Sequence, residues 1–489
     1  MTLNLKAPES EVREQRLGSI TGYHGTLKDL AKQGCSGCLE NRKRCFTTVS
    51  SCAHRHAISL LAPIKGAVVV DHGPAGCASG AIGFSVGRIR MKETLKKHFR
   101  VVSSNLQESD TVFGAVDKLK RTIQAAYDRY HPKVIYVTTS CASSIIGDDV
   151  YSVVQEMKKE LGIPVGFAAV EGIKTKIWAS GFDAYAHATV DTLIKDEKPQ
   201  KEKLVNYVAF GPAGREYVDQ IFARLGYEVN YLTGASANED YQKAIHAVAT
   251  FGQCGAQSSY LAGALEQLYG VKYFQTYLPY GGIGFERFIR EVTEYFDQKE
   301  LGEQIIAEEK AAYKDELEQL RSKLKGKTAL VALGASYAYE YTRILRELGV
   351  EVLHTVAYHY DPRLDNQSDE IVAAAADARE FDEDVVTTVN DIQQVENYLI
   401  VKDVKPDFIV SRAHSTSTWG VKTGIPAIEA RIGLQIFGYK GLVSFGHYVA
   451  NELANTNFIK KLSARYQSPF TKDFENRSPY SFLEEVEQA

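Results

Sequence analysis

The chain alternates short, continuous apolar runs with stretches of helical periodicity, and this alternation constrains its fold more than any other feature. Within 149–161, for example, Val150, Val153, Val154 and Met157 have the spacing of one helix face. Continuous apolar strands between such helices are typical of parallel, doubly wound sheets, so the sequence predicts an α/β fold. The runs predicted as strands are 67–70, 100–103, 134–138, 165–169, 206–209, 229–232, 247–251, 328–332, 351–357, 407–411 and 441–445.

The domain organisation follows from length and from two charged segments. The chain has 489 residues, and one domain usually takes about 100 to 200. A charged run at 195–203 and a long charged helix predicted at 298–327 separate three Rossmann-like modules. The predicted division is an N-terminal arm at 1–45 and α/β modules at 46–200, 201–326 and 327–489.

Composition excludes several classes of protein. The net charge of −4 gives no overall attraction to nucleic acid or to anionic membranes. No apolar run approaches the roughly 18 residues that a membrane helix needs. The first 16 residues lack the apolar core of a secretory signal, so the sequence predicts a cytoplasmic protein, where structural disulfides are rare. Its odd number of cysteines, 7, suits ligands and free thiols better than a disulfide framework.

Four cysteines stand in turn-like settings, and two of them directly follow predicted strands. Cys77 closes the segment Asp-His-Gly-Pro-Ala-Gly-Cys after the strand at 67–70, and Cys141 follows the strand at 134–138. Cys254 follows its own strand, and Cys52 precedes all three. Sites in parallel sheets lie at the carboxyl ends of strands, so these cysteines are placed for binding. In a chain without signs of secretion, they are predicted to be thiolate ligands for iron and sulfide. The alternative is that they are ordinary buried free thiols.

The segments around these cysteines resemble the nitrogenase component 1 superfamily, and most of all the D subunit of methylthio-alkane reductases. The resemblance extends over about residues 45–460 and implies the fold of that superfamily. Its first three motifs are specific only when they are taken together. The matching segments are Cys52, 72–77, 140–141 with 146–149, 171–172, 252–254 and 424–426.

The resemblance implies two metal centres and several partners. It assigns Cys52, Cys77 and Cys141 to one half of an [8Fe-7S] P-cluster, or to a [4Fe-4S] cluster, shared with a homologous β/K-type subunit. It assigns Cys254 to a large nitrogenase-type iron–sulfur cofactor. It further implies an α2β2 heterotetramer and a separate ATP-dependent [4Fe-4S] reductase similar to the Fe protein. The sequence has no Gly-x-x-x-x-Gly-Lys-Ser/Thr segment, so ATP chemistry is expected on that partner.

Three positions depart from molybdenum nitrogenases. Arg431 stands where the resemblance places a histidine ligand, and Ser415 stands where it places the lysine that supports homocitrate. A histidine pair is replaced at 181–183 by Gly-Phe-Asp. The resemblance therefore implies a cofactor without molybdenum and a reductase of C–S bonds in small methylthio-alkanes. A scaffold for maturation of the nitrogenase cofactor, nitrogenase proper and a tetrapyrrole reductase stay open, although Cys254 argues against the last.

Other residues are candidates for the catalytic pocket. The glycine-rich segment 278–285 leads into a predicted helix, so Gly281, Gly282 and Gly284 are predicted to offer backbone N–H groups to an anionic cofactor. Arg431 is a candidate to offset negative charge on the cofactor. The histidines predicted to donate protons or to replace the missing ligand are His187, His359, His414 and His447. The alternative for each histidine is a hydrogen-bonded or surface residue.

A further trio of cysteines lies in the N-terminal arm. Cys35, Cys38 and Cys45 include a Cys-x-x-Cys pair, which suits iron–sulfur or zinc binding or redox exchange. Neighbouring basic residues at 42–44 are expected to lower the pKa values of these thiols. The trio departs from the superfamily pattern, and free thiols are the alternative.

Overall fold

Two compact units, defined by contacts within the chain, make up the structure. The first comprises Met1–Arg16, Ser51–Phe210 and Gly226–Phe274, and the second comprises Leu17–Ser50, Gly211–Leu225 and Gln275–Ala489. The computed structural model describes residues 2–32, 52–89, 99–175, 177–194, 197–212, 214–233, 235–274, 278–365, 385–390, 394–411, 416–430 and 436–481.

Strands and helices alternate along the described residues. The strands are β1 (Gly22–Thr26), β2 (Ala67–His72), β3 (Val101–Ser103), β4 (Val134–Thr139), β5 (Val165–Ala168), β6 (Leu204–Val208), β7 (Glu228–Leu232), β8 (Ala249–Gly252), β9 (Lys272–Tyr273), β10 (Thr328–Leu333), β11 (Glu351–Ala357), β12 (Val386–Asn390), β13 (Phe408–Ser411) and β14 (Ala427–Glu429). The helices are α1 (Arg13–Leu17), α2 (Leu27–Lys32), α3 (Ala53–Leu61), α4 (Ala75–Ile89), α5 (Asp110–Phe113), α6 (Val116–Tyr130), α7 (Cys141–Ile146), α8 (Val150–Leu161), α9 (Ser180–Leu193), α10 (Arg215–Arg224), α11 (Asn238–Lys243), α12 (Gly255–Tyr269), α13 (Gly281–Tyr295), α14 (Lys299–Leu324), α15 (Ala335–Glu347), α16 (Pro362–Asp365), α17 (Gln394–Val404), α18 (Thr416–Thr423), α19 (Gly438–Ala454), α20 (Asn457–Ser463) and α21 (Lys472–Glu475).

The first unit contains two parallel four-stranded sheets, in the orders β3-β2-β4-β5 and β7-β6-β8-β9. Strands β2 and β4 are buried along their whole length, which explains why both read as continuous apolar runs. Helices α6 and α8 cover one face of the first sheet through a core that includes Ile123, Val154 and Met157. Side chains that follow these strands therefore meet at one edge of the sheet.

Helix α9 is a largely buried helix of the first unit. Most of its side chains are buried, and it packs against both α3 and α12. Gly181 makes the approach to α3 possible, because a Cβ atom there would lie 2.2 Å from the carbonyl oxygen of Ala53 and 2.9 Å from the Cβ of His56. Helix α9 therefore connects the helix that follows Cys52 with the helix that follows Cys254.

The second unit contains one six-stranded sheet, in the order β1-β12-β11-β10-β13-β14. Its strands are parallel except β1, which pairs antiparallel with β12 at the edge. Among the described helices, none is both long enough and apolar enough to cross a membrane.

The predicted α/β class with three parallel modules is confirmed, and one predicted strand is wrong. The run 441–445 lies inside helix α19, whose first turns are buried on several sides and therefore read as a continuous apolar run. Strands β1, β9, β12 and β14 are absent from the prediction because they are short, polar or at sheet edges. The charged helix predicted at 298–327 is observed as α14.

Candidate functional site

Cys52, Cys77 and Cys141 lie at one edge of the first sheet, and we call them the three-cysteine site. Strands β2 and β4 are parallel neighbours in which His72 pairs with Thr139, so both end at the same level. Cys77 then lies in the first turn of α4, and Cys141 is the first residue of α7. Cys52 immediately precedes α3 and is exposed, whereas the other two thiols are half-buried.

The turn that presents Cys141 is fixed by a capping box. The Ser140 hydroxyl accepts a hydrogen bond from the Ser143 N–H at 3.3 Å, and the Ser143 hydroxyl accepts one from the Ser140 N–H at 2.9 Å. These reciprocal bonds satisfy backbone donors at the start of α7, where the helix has no partners of its own. The local sequence therefore holds the Cys141 backbone at the sheet edge.

Gly172 provides the space in which two of the thiols approach each other. It follows β5, which pairs with β4 at the same sheet. A Cβ atom on Gly172 would lie 3.4 Å from the Cβ of Cys52, 3.6 Å from the Sγ of Cys141 and 3.9 Å from the Sγ of Cys52. The backbone of Gly172 therefore lines the three-cysteine site, and a side chain there would occupy it.

The electrostatics of Cys77 show that the three thiols act on one another. Burial, followed by the charges of Asp71, Cys52 and Cys141, raises the pKa of Cys77 to about 11. The Arg55 guanidinium opposes these effects and lowers that pKa. Gly80 permits this approach, since a Cβ atom there would lie 2.3 Å from Nη2 of Arg55. A positive counter-charge at the site would favour its thiolate form.

Two histidines beside the three-cysteine site are bound to carboxylates. His54 donates from Nε2 to Asp71 Oδ1 at 2.8 Å, and both side chains are buried. His72 donates from Nε2 to Asp148 Oδ2 at 3.0 Å, and its Nδ1 lies 3.0 Å from the Ser104 hydroxyl. These contacts fix the orientation of the two rings beside the three-cysteine site.

The donors at this site are thiols, which suit an iron–sulfur cluster. Cys52 and Cys141 lie beside Gly172, and Cys52 is exposed. Soft thiolates are typical ligands of such clusters, and the exposed side leaves room for ligands from elsewhere. Within the described part of the chain, no group of three or more His, Cys, Asp or Glu side chains is arranged to hold one metal ion.

Cys254 forms a second site within the first unit, separate from the three-cysteine site. It follows β8 and precedes α12, and only 7% of it is exposed. Its carbonyl oxygen accepts a hydrogen bond from the Ser258 hydroxyl at 2.8 Å. The pKa of nearby Tyr273 is raised to about 12, chiefly by burial and partly by the charge of Cys254, against the lowering effects of a hydrogen bond with Ser258 and of the charges of Arg16 and Arg13. A buried thiol at the start of a helix suits a cofactor shielded from water.

Two of the candidate histidines, His187 and His447, are hydrogen-bonded within the protein. His187 is buried; its Nε2 donates to the Ala7 carbonyl at 2.9 Å and its Nδ1 lies 2.8 Å from the Tyr260 hydroxyl. Burial lowers its pKa. His447 lies on the exposed side of α19 and bonds Glu316 at 2.6 Å. His359, in the second unit, is buried with Nε2 3.5 Å from Asp361. The catalytic roles of these three histidines stay predictions.

The predicted glycine-rich turn is closed by a carboxylate of its own unit. Glu347 Oε2 accepts hydrogen bonds from the N–H groups of Gly282 at 2.8 Å and Ile283 at 3.3 Å. A Cβ atom on Gly281 would lie 2.7 Å from Glu347, and one on Gly284 would lie 2.4 Å from Arg343. Burial raises the pKa of Glu347 to about 7. The glycines therefore permit close packing inside the second unit, and the cofactor contact of Gly281, Gly282 and Gly284 stays a prediction.

Several sequence predictions fall outside the described residues. These are His414, Arg431 and the trio Cys35, Cys38 and Cys45.

Comparison with known proteins gives the same assignment as the arrangement of cysteines. A family model described as Nitrogenase component 1 type Oxidoreductase matches residues 52–454. The chain belongs to the nitrogenase component 1 family. Similarity to the solved structure of nitrogenase Cp1 at pH 5 supports the fold, with a TM-score of 0.71 and 26% identity over 88% of this chain and 92% of that one.

Two groups of relatives within the nitrogenase component 1 family are similar to this chain. It is 32% identical to the nitrogenase molybdenum-iron protein alpha chain of Clostridium pasteurianum, over 70% of this chain and 66% of the relative. The corresponding alpha chain of Methanosarcina barkeri is 32% identical over 63% and 60%. The chain thus spans about two thirds or less of these two alpha chains. The nitrogenase iron-molybdenum cofactor biosynthesis protein NifE of Methanococcus maripaludis is 27% identical over 84% of both chains.

Two residues of the three-cysteine site were not predicted to belong to it. Gly172 stands in a motif shared with the nitrogenase component 1 superfamily, but only the folded chain places it between two thiols. Arg55 lies one helical turn after Cys52, and that spacing was an available signal. Its effect on Cys77 depends on the packing of α3 against α4, which sequence spacing does not contain.

Proposed function

We propose that this chain is a catalytic-component subunit of a nitrogenase-like, partner-dependent reductase that cleaves C–S bonds of small methylthio-alkanes. The observation that carries the proposal is the presence of two separate cysteine sites in one unit. One has Cys52 and Cys141 beside Gly172 and Cys77 on a neighbouring turn, with Cys52 exposed, and the other is the buried Cys254. Membership in the nitrogenase component 1 family supports assigning iron–sulfur groups to both.

The residues of the chain have distinct tasks in this proposal. Cys52, Cys77 and Cys141 would hold a P-cluster-type [8Fe-7S] or [4Fe-4S] group together with a homologous subunit, and Cys254 would hold a larger cofactor. Such groups supply one-electron transfer at potentials tuned by their surroundings. Arg55 offsets negative charge at the first site. Burial of Cys254 excludes water from the second.

The proposed reaction consumes two electrons and two protons for each thioether. One C–S bond breaks, the sulfur fragment leaves as a thiol, and the carbon fragment leaves as a hydrocarbon. The electrons come from a partner reductase that hydrolyses ATP, because this sequence has no phosphate-binding loop of its own.

The segment 181–183 supports a substrate other than dinitrogen. The resemblance places a histidine pair of molybdenum nitrogenases here, but this chain has Phe182 and Asp183. Phe182 is buried, with its ring centroid 5.4 Å from that of Trp178. Asp183 is fully buried and accepts hydrogen bonds from Arg13 and Arg16. Neither side chain is arranged to deliver a proton, which supports a reaction other than the reduction of dinitrogen.

An exposed apolar surface close to the three-cysteine site suits the proposed electron donor. Val112 and Ile145 are each 75% exposed and Phe113 is 87% exposed. Helix α5, which carries Val112 and Phe113, contacts α7, the helix that begins at Cys141. Exposed apolar clusters of this kind mark protein interaction sites. A reductase bound here would lie beside the thiols that accept its electrons.

A maturation scaffold is the second candidate function. The alignment with NifE extends over 84% of both chains, further than those with the alpha chains. In that case the cluster on Cys254 would be cargo that the protein hands to another. The two candidates differ in whether the complex turns over substrate.

The test uses the complex of this chain with its homologous subunit, purified without oxygen. Metal analysis is expected to give about 30 or more iron atoms per tetramer with little molybdenum or vanadium, whereas about 8 to 16 would indicate small clusters only. With the reductase, ATP and dimethyl sulfide, the complex is expected to form methane and methanethiol in equal amounts.

Two cysteine variants serve as controls for each other. Cys254→Ser should abolish product while the paramagnetic signal of the three-cysteine site persists. Cys141→Ser should weaken that signal and slow electron delivery. A complex that forms no product but passes its cluster to an acceptor protein would support the scaffold. Turnover that survives Cys254→Ser would refute both candidate functions, because the proposed reductase needs the cofactor on Cys254 and the scaffold should not turn over substrate.

A further inference from the structure

The N-terminal segment 2–16 is bound along two helices of the first unit. The Leu3 backbone exchanges two hydrogen bonds with the Gln267 side chain of α12, at 2.8 and 2.9 Å. The Ala7 carbonyl accepts a hydrogen bond from His187 of α9. Glu14 accepts hydrogen bonds from the Ile177 N–H at 3.0 Å and from Thr175 at 2.8 Å, just before α9. This part of the predicted arm therefore belongs to the first unit.

A buried cluster of two arginines and one aspartate lies where this segment meets α9. Asp183 Oδ1 accepts a hydrogen bond from Arg13 at 2.9 Å, and its Oδ2 accepts two from Arg16, at 3.2 and 2.9 Å. Arg13 and Asp183 are fully buried and Arg16 is 4% exposed. Removal of one partner from a buried ion pair is strongly destabilising, because the other charge stays in a medium of low polarity.

The same cluster reaches the first turn of the helix that follows Cys254. Nη1 of Arg13, which bonds Asp183, also donates to the Ala256 carbonyl at 3.0 Å. The Arg16 guanidinium lies over the Tyr260 ring, 5.3 Å from its centroid. Ala256 and Tyr260 are respectively two and six residues after Cys254. The arginines therefore hold the beginning of α12 against α9.

The two arginines and Cys254 also share a neighbour, Tyr273. Tyr273 is affected by both guanidiniums, which lower its pKa, and by Cys254, which raises it. All three groups thus act on one buried hydroxyl. An arginine stays charged at any pH at which the protein is folded, so its positive charge there is permanent.

We infer that Arg13 and Arg16, joined by Asp183, are positioning residues for Cys254. They hold the first turn of α12 in place and set positive charge near an anionic iron–sulfur ligand on the thiolate. The part of the inference that concerns the ligand rests on the proposed function, whereas the positioning of the thiol does not. Segment 2–16 is then part of the Cys254 site.

The first experiment needs no cofactor. The cluster-free chain is treated with N-ethylmaleimide at one fixed pH, and labelling of each cysteine is followed by peptide mass spectrometry. Arg13→Gln should speed labelling of Cys254 about tenfold by easing local opening of α12, while labelling of Cys141 changes less than about twofold. Lys6→Gln, which alters an exposed basic residue of the same segment, should leave both rates unchanged.

Arg13→Lys covers the case in which Arg13→Gln fails to fold. Lysine keeps the charge but cannot bond Asp183 and Ala256 with the same planar group, so it should speed Cys254 labelling in the same direction by a smaller factor. An unchanged Cys254 rate in a folded variant would overturn the inference. A uniform increase at every cysteine would also overturn it, because it would show general loosening of the unit.

The second experiment uses the oxygen-free complex and measures iron content and paramagnetic signals. Arg13→Gln should lower the signal that depends on Cys254 severalfold and leave the signal of the three-cysteine site intact, with partial recovery in Arg13→Lys. Equal signals in wild type and Arg13→Gln would contradict a role toward the ligand. Absence of any Cys254-dependent signal in wild type would instead refute the proposed function, and the labelling experiment would still decide the positioning role.

Discussion

At Gly172 the chain carries no side chain, and the atom that one would add lies between two thiols. This atom would lie 3.4 Å from the Cβ of Cys52 and 3.6 Å from the Sγ of Cys141. Both are ordinary van der Waals distances, so a methyl group fits among these side chains without forcing the backbone to move. The same methyl group would occupy space that a cluster on the thiols needs. A substitution at Gly172 can therefore impair metal binding without impairing folding.

Gly172→Ala should therefore leave the fold intact and remove the cluster. We expect thermal unfolding of the cluster-free chain to change by less than about 0.5 kcal/mol, as at sites without strain or lost contacts. Iron at the three-cysteine site should fall about tenfold, measured by metal analysis and paramagnetic resonance. Gly211→Ala is the matched control, since its Cβ would meet no atom within 4 Å. Full iron content in Gly172→Ala would show that the thiols do not share a ligand there.

The residues of the site differ in how far sequence could reveal them. Cysteines after β2, β4 and β8 were predictable, because parallel strands present their carboxyl ends at one edge and thiols are rare enough to stand out. Arg55 and Gly172 were not, because their roles depend on which helices and loops approach in the folded unit. For His187, ring chemistry predicts a catalytic role that stays a prediction, and only the folded chain reveals that Tyr260 and the Ala7 carbonyl bond its two nitrogens.

At the scale of elements, helix α9 connects the two cysteine sites. Gly181 lets it approach the start of α3, which follows Cys52. Two residues later, Asp183 receives the arginines that hold the start of α12, which follows Cys254. Both proposed metal sites therefore depend on the position of one buried helix.

Gly181→Ala should disturb both sites together. The added Cβ would lie 2.2 Å from the Ala53 carbonyl oxygen, so α3 and α9 must move apart, at a cost of about 1–3 kcal/mol. We expect a lower melting temperature and loss of iron from both sites. Gly263→Ala in α12 is the control, because its Cβ would lie 3.6 Å from Leu3 and alanine favours a helix by about 1 kcal/mol. Loss of iron from only one site in Gly181→Ala would contradict the linking role of α9.

Elements were predictable where burial leaves a clear pattern. The central strands β2 and β4 are buried on both faces, and their apolar runs matched within two residues. Strand β1 has the sequence Gly-Tyr-His-Gly-Thr and exists because β12 pairs with it, which no local pattern contains. Part of helix α19, residues 441–445, has the sequence pattern of a strand. Several faces of this helix are buried, so its apolar residues follow one another without helical spacing.

At the scale of the whole molecule, the exposed apolar residues on α5 and α7 support the proposal that a partner reductase binds the first unit. Phe113 is 87% exposed, an unfavourable position for a large aromatic ring in water. The three-cysteine site, close to this surface, has an exposed thiol in Cys52. The family membership and these surfaces agree with a subunit of a larger assembly.

Phe113→Ala should weaken coupling to the partner reductase without changing the metal sites. Loss of a central aromatic contact typically costs 2 kcal/mol or more at an interface, so we expect the reductase concentration for half-maximal turnover to rise about tenfold or more. Iron content and the rate with a small-molecule reductant should stay the same. Phe458→Ala, at a residue 68% exposed in the second unit, is the control. Equal effects of the two variants would remove the basis for placing the partner on α5 and α7.

The lack of a side chain at Gly181 also limits how this protein can change over evolutionary time. Any larger residue at that point alters the surroundings of both proposed metal centres in one mutation, so neither would acquire new chemistry through this face of α9 alone. Descendants that exchange one substrate for another are then expected to vary in loops beyond the helix, while the glycine persists.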